Sequence, residues 1–145
     1  MINMEAQEII HCRGHPLVLS THPTTFEVTC DDHLTQTGNC IIGVAAEKGC
    51  AGLSPAFKSV LAHDDAVLVT RLACDGIVAE VRSRGSSRFT LNHPADMVWR
   101  KSTFVCGRTI GILSDRVALT LPRELMENLA RGKEVVVTLT ATRPG

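Results

Sequence analysis

Apolar positions along this chain follow two periods, and the periods come in the same order twice. Near-alternation of apolar and polar residues marks a strand with one buried face, and it runs through residues 24–30 (TTFEVTC) and 40–46 (CIIGVAA). The spacing then changes. Phe57, Val60 and Leu61 share one face of a short helix, with Ser54 placed to cap it and Pro55 at its first position. Residues 66–72 (AVLVTRL) read as a strand again. The later half gives strands at residues 97–103 (MVWRKST) and 108–114 (RTIGILS). A helical stripe of Leu125, Met126 and Leu129 follows, then Gly132 as a stop and a last strand at residues 134–140 (EVVVTLT). Each half also opens on two β-rich runs flanking an Arg-Gly turn signal, residues 8–12 and 16–20 in one and 77–83 and 88–92 in the other, which predict a hairpin.

The recurrence extends to identities. Shifted by 68 positions, Cys40 to Ala73 aligns with Arg108 to Ala141 without a gap, and nine of 34 pairs are identical, Gly43 with Gly111 and Leu61 with Leu129 among them. A shift of 71 carries the match backward to His22-Pro23 with His93-Pro94, three extra residues between Asp32 and Thr37 accounting for the change. Tandem duplication explains this better than chance within a Val/Leu/Ala-rich chain. The expected architecture is mainly β, of the α+β class. A β-hairpin-β-β-α-β unit is repeated about a pseudo-twofold axis, forming a barrel or sandwich with two short helices. One domain spans residues 1–145, with copies at about 8–73 and 79–141. A crevice between the copies is the natural place for a ligand.

Composition narrows the function classes. With 145 residues, 44% of them apolar and no net charge, the chain is large enough for a core that needs neither metal nor disulfide. The N-terminal stretch is acidic where a targeting signal is basic and apolar, and no run of 18 apolar residues occurs, so a cytoplasmic protein without membrane contact is expected. The six cysteines form no C-x-x-C pair, which argues against a zinc knuckle, and no cofactor is expected.

Several stretches together identify a relative. GHP at 14–16, THPTTFEVT at 21–29, LTQTGNCIIGV at 34–44, WRKSTFVCGRT at 99–109 and LPRELMENL at 121–129 resemble the uncharacterised archaeal domain-of-unknown-function family 371. The match covers nearly the whole chain, with Asn39 standing where the family pattern has Asp. The resemblance implies an archaeal, soluble, cytoplasmic protein and carries no activity with it.

Candidate chemistry lies where the copies differ, because packing positions must match across an axis and working positions need not. Residues 27–75 carry seven acids against three bases, and residues 80–116 carry seven bases against three acids. This neutral chain is therefore dipolar. Arg100, Lys101, Ser102 and Arg108 have Thr29, Cys30, Asp31 and Cys40 as their counterparts, so the basic group belongs to one copy only. Strand alternation puts Arg100 and Ser102 on one face. Arg100 and Arg108 could then hold a phosphate or carboxylate through forked hydrogen bonds, with an internal carboxylate such as Glu27 or Asp31 as the competitor for them.

His22 and His93 each precede a strand behind a proline, a shared position that favours an architectural role. Only the first copy adds hydroxyls, Thr24 and Thr25, and His22, Thr24, Thr25, Asn39 and Cys40 are expected to line a wall opposite Arg100 and Arg108, with His93 as the matching histidine. A histidine can activate a thiol, yet nothing in the sequence brings Cys40 to His22, and His22 with His93 lacks metal-ligand spacing. The leading expectation is a binding module or small enzyme for an anionic small molecule held between the copies. A nucleic-acid-binding protein using the basic face of residues 82–108 is the alternative, against which scarce aromatics and zero net charge count. A structural or partner-binding domain is the third.

Overall fold

A computed structural model describes residues 3–34 and 38–145; the inferred insertion falls partly on residues 35–37, outside the described residues. The strands are β1 (Asn3–Arg13), β2 (Thr25–Thr29), β3 (Ile41–Gly43), β4 (Val67–Cys74), β5 (Ile77–Arg84), β6 (Asp96–Arg100), β7 (Thr109–Gly111) and β8 (Glu134–Pro144). Helix α1 (Pro55–Leu61) lies between β3 and β4, and α2 (Arg123–Ala130) between β7 and β8, each after a single 3-10 turn. The Ser54 hydroxyl accepts the Phe57 N–H at the start of α1, and Gly132, at φ +73°, follows α2 in a conformation that favours glycine.

Two four-stranded sheets form a sandwich rather than a closed barrel. The first has the order β1-β8-β4-β5 and is antiparallel throughout. In the second, β3-β2-β6-β7, an antiparallel β2/β6 pair is flanked by parallel β3 and β7. Phe26 and Trp99 stack at 4.5 Å between ring centroids, and the Trp99 indole N–H donates to Thr70 Oγ1 of β4 at 2.8 Å, so these two rings face the first sheet. By strand alternation Thr25, Glu27, Thr29, Asp96, Val98 and Arg100 project from the other face of the second sheet.

The predicted opening hairpins do not form. Residues 16–20 and 88–92 are not strands, and β1 pairs with β8 while β5 pairs with β4. The apolar alternation is real, since Val18, Phe89 and Leu91 are buried, but the backbone turns through the left-handed region at Ser20 (φ 52°) and Leu91 (φ 48°), which a strand does not visit. The hairpin signal lies elsewhere. Asp75 and Gly76, both at positive φ, link β4 to β5 with Cys74 opposite Ile77, a two-residue turn that Asp-Gly favours.

Corresponding positions in the two halves make corresponding bonds. Arg13 and Val44 exchange both backbone hydrogen bonds, and so do Arg84 and Ile112. The His11 N–H donates to a Glu47 carboxylate oxygen, and the Arg82 N–H to one of Asp115. In the central ladder Thr25 opposes Arg100 and Asp96 opposes Thr29, with Glu27 opposite Val98 at the middle. Position 27 and its counterpart 98 therefore meet at the centre of the second sheet.

Candidate functional site

The face of the β2/β6 pair turned away from the first sheet is mostly polar, and its centre is charged. Glu27 reaches its position by alternation in a strand whose other face is apolar, which leaves a carboxylate only 6% exposed. Arg108, at the entrance to β7, donates from one guanidinium nitrogen to Glu27 Oε1 and to Asp96 Oδ2, both at 3.2 Å. The Thr29 hydroxyl donates to Asp96 Oδ1 at 2.7 Å, and His93 Nε2 lies 3.7 Å from Asp96 Oδ2. Glu27 and Thr29 come from one half, and Asp96, Arg108 and His93 from the other.

This arrangement pushes the Glu27 carboxyl up from 4.5 to about 7. Burial is the largest cause, and the Asp96 charge adds to it, with a smaller push from Asp31; Arg108 and Arg100 pull the other way without prevailing. Burial also works against the charge on Arg108, but Glu27 and Asp96 outweigh it and strengthen that guanidinium's hold on its proton. Of the two competitors for the arginines, Glu27 meets Arg108, joined by Asp96.

Arg100 is in a different situation. Its Nε–H donates to Thr109 Oγ1 at 2.9 Å, a second nitrogen lies 3.4 Å from Cys106 Sγ, and the guanidinium carbon sits 4.9 Å over the Phe104 ring. Among the described residues it has no carboxylate within ion-pair distance. Burial alone would push the Cys106 thiol up; hydrogen bonds from the Arg108 N–H, Thr109 and the Arg100 guanidinium, with the Arg100 charge, instead hold it below its ordinary value.

The other predicted residues divide into neighbours of this cluster and bystanders. His22 Nδ1 accepts the N–H groups of Thr24 and Thr25, each at 3.2 Å, and His93 Nδ1 accepts those of Ala95 and Asp96 at 3.1 and 2.8 Å. Each imidazole thus ties off the entry to a central strand and carries its own proton on Nε2. The Thr25 hydroxyl lies 3.1 Å from His22 Nδ1 and also bonds the Cys40 thiol, so Thr25 stands between the two. Burial, with the nearby Glu27 charge, pushes the Cys40 thiol up, the wrong direction for a nucleophile. Asn39 contributes its carbonyl, which accepts the Thr21 and His22 N–H groups. Ser102 lies beyond the end of β6, where alternation no longer applies, and its hydroxyl accepts the Phe104 N–H. Among the described residues no group of three His, Cys, Asp or Glu is arranged to hold a metal.

Asp96, Thr109 and Cys106 were absent from the sequence-derived site. Asp96 could have been found by its place opposite Thr29 once the two central strands are paired; the return of residues 102–107 to bring Cys106 beneath Arg100 has no sequence signal. A cavity of about 430 Å³ beside His11, Arg13 and Glu47 and one of about 240 Å³ beside Arg13 and His15 are lined by none of the predicted site residues. The second-sheet cluster is polar and largely buried, with Glu27 at 6% and Thr29 at 2% exposure.

Residues 10–142 match a domain of unknown function, DUF371. An uncharacterised protein of Methanocaldococcus jannaschii is 40% identical over 128 residues, covering 88% of this chain and 94% of that protein. No helix among the described residues is long and apolar enough to cross a membrane.

Proposed function

The chain belongs to the DUF371 family, and we propose that this member binds an anionic small molecule, bearing a phosphate or carboxylate, on the outer face of its second sheet. The observation that carries this reading is the unpaired charge of Arg100 beside an arginine that is already neutralised. Arg108 faces two carboxylates, whereas Arg100 is positioned by a hydroxyl, a sulfur and an aromatic face that leave N–H groups for a ligand. Thr25, directly opposite Arg100 in the ladder, offers a hydroxyl on the same face, with Cys40 and His22 behind it. The reading treats residues of about 8–73 and 79–141 as two copies of one unit, a view supported by their matching hydrogen bonds. The site then forms where the copies meet and differ.

Glu27 makes this site responsive to pH. Below about 7 its carboxyl is neutral, and Arg108 retains only Asp96 as a charged partner. Anion affinity should rise as pH falls through that value.

A thermal-shift screen with inorganic pyrophosphate, phosphorylated metabolites and nucleotides tests the proposal, with RNA at two salt concentrations as a separate arm. Arg100→Met should abolish the response while costing the free protein about 1 kcal/mol, the scale of a few half-exposed polar contacts. An anion response of unchanged size in Arg100→Met overturns the assignment. A steeply salt-dependent response to RNA alone would favour the nucleic-acid reading instead.

A further inference from the structure

The corner where β1 ends beside the start of β8 holds a cavity and lacks a contact that its counterpart in the other half makes. At the counterpart corner the Asp64 carboxylate is closed off by Ser87, whose N–H and hydroxyl both donate to Oδ1, at 2.8 and 3.0 Å. The positions matching Asp64 and Ser87 at the 68- and 71-residue offsets are Gly132 and Pro16. Glycine has no carboxylate to offer and proline no N–H, so neither bond can form here. A Cβ placed on Gly132 would meet nothing within 4 Å. The result is the cavity of about 430 Å³, which shares Arg13, Ala45 and Gly132 with its neighbour of about 240 Å³. A volume of this size suits a small metabolite.

Its charged groups are of both signs, and Arg13 stands opposite Glu134 across the β1/β8 ladder without pairing with it. Arg13 lines both cavities, and among the described residues no carboxylate lies within ion-pair distance of it. Glu47 uses one oxygen to accept the His11 N–H, and among the described residues its other oxygen has no donor. Glu134 holds His11 Nδ1 at 2.9 Å. A lone anion would meet Arg13 but also Glu47 and Glu134, and a lone cation would meet these acids but also Arg13. A molecule carrying both charges satisfies each side.

We infer that this corner is a binding site for a small amino-acid-like zwitterion, its carboxylate on the Arg13 guanidinium and its ammonium on Glu47. The site is separate from the second-sheet face and does not depend on the reading given to Arg100.

The test is a thermal-shift measurement with each of the proteinogenic amino acids in turn, at millimolar concentration. At least one should raise Tm by roughly 4 °C when present at about ten times its Kd. Arg13→Met, which keeps the aliphatic stem of an exposed side chain, and Glu47→Gln should each remove that shift, while Arg100→Met should retain it. The inference is overturned if no amino acid shifts the wild-type protein, or if Arg13→Met and Glu47→Gln respond as the wild type does.

Discussion

Replacing Glu27 by glutamine keeps the shape of the side chain and removes its charge, which isolates the cost of holding a carboxylate at the centre of the second sheet. A carboxyl with a pKa of about 7 in the folded protein and 4.5 otherwise costs about 3 kcal/mol once ionised. The sign follows from the direction of the shift. Below 4.5 the group is neutral in both states and has no effect. Between 4.5 and about 7 the unfolded chain ionises first, so wild-type stability falls as pH rises, and above 7 the loss is complete. Glu27→Gln has no such dependence. Relative to the wild type it should gain roughly 2 to 3 kcal/mol between pH 5 and pH 9, offset by a constant amount for its weaker hydrogen bond to Arg108. In a chain of this size that is a relative rise in Tm of roughly 5 to 10 °C. Urea unfolding of both proteins at the two pH values measures it directly. Parallel pH profiles for wild type and variant would refute the reasoning, because they would mean that Glu27 ionises as easily in the folded state as in the unfolded one.

Other outcomes follow from single contacts. Cys106 should react with iodoacetamide well before Cys12 and Cys50, whose thiols burial pushes up to about 12, and Arg100→Met should slow that reaction roughly three- to tenfold near neutral pH, as read by peptide mass mapping. His22→Ala and His93→Ala each strip an acceptor from two strand-entry N–H groups, and urea unfolding should show a loss of about 1 kcal/mol apiece, since water replaces part of each bond at these half-buried sites. Thr70→Val leaves the fully buried Trp99 indole N–H without a partner and should cost about 1 to 3 kcal/mol in the same assay.

Most of the fold was legible because it is written in periodicity and punctuation. The alternation in residues 24–30 and 97–103, the Ser54-Pro55 start and the Gly132 stop each led to the observed element. What misled was alternation without extension. Residues 16–20 and 88–92 bury alternate side chains from an irregular backbone, so the burial pattern of a strand occurs without a strand's hydrogen bonds. The Asp75-Gly76 turn was a stronger hairpin signal than either Arg-Gly pair, because it supplies two residues suited to positive φ. For the site, sequence comparison of the halves found the unmatched arginines and named Glu27 as a competitor for them, but gave neither Asp96 nor which arginine is paired. Whether Arg100 or Arg108 meets a carboxylate depends on the β2/β6 register, which sets Asp96 and Glu27 on one face, and on the loop that returns Cys106 to Arg100. Both are tertiary facts. The repeated His-Pro is architectural in its geometry, since each imidazole accepts two N–H groups at a strand entry.

The claim on which the functional reading rests is that Arg100 is the anion-binding group of the second-sheet face. Its Nε–H is held by the Thr109 hydroxyl, which slows exchange with water and should give it a separate side-chain resonance, assignable by its disappearance in Arg100→Met. Titrating inorganic pyrophosphate into nitrogen-15-labelled protein at pH 6 follows that resonance directly. The account predicts a shift that saturates, accompanied by changes at Thr25 and Thr109. An Arg100 signal that stays fixed while exposed arginines drift in proportion to added salt would contradict it.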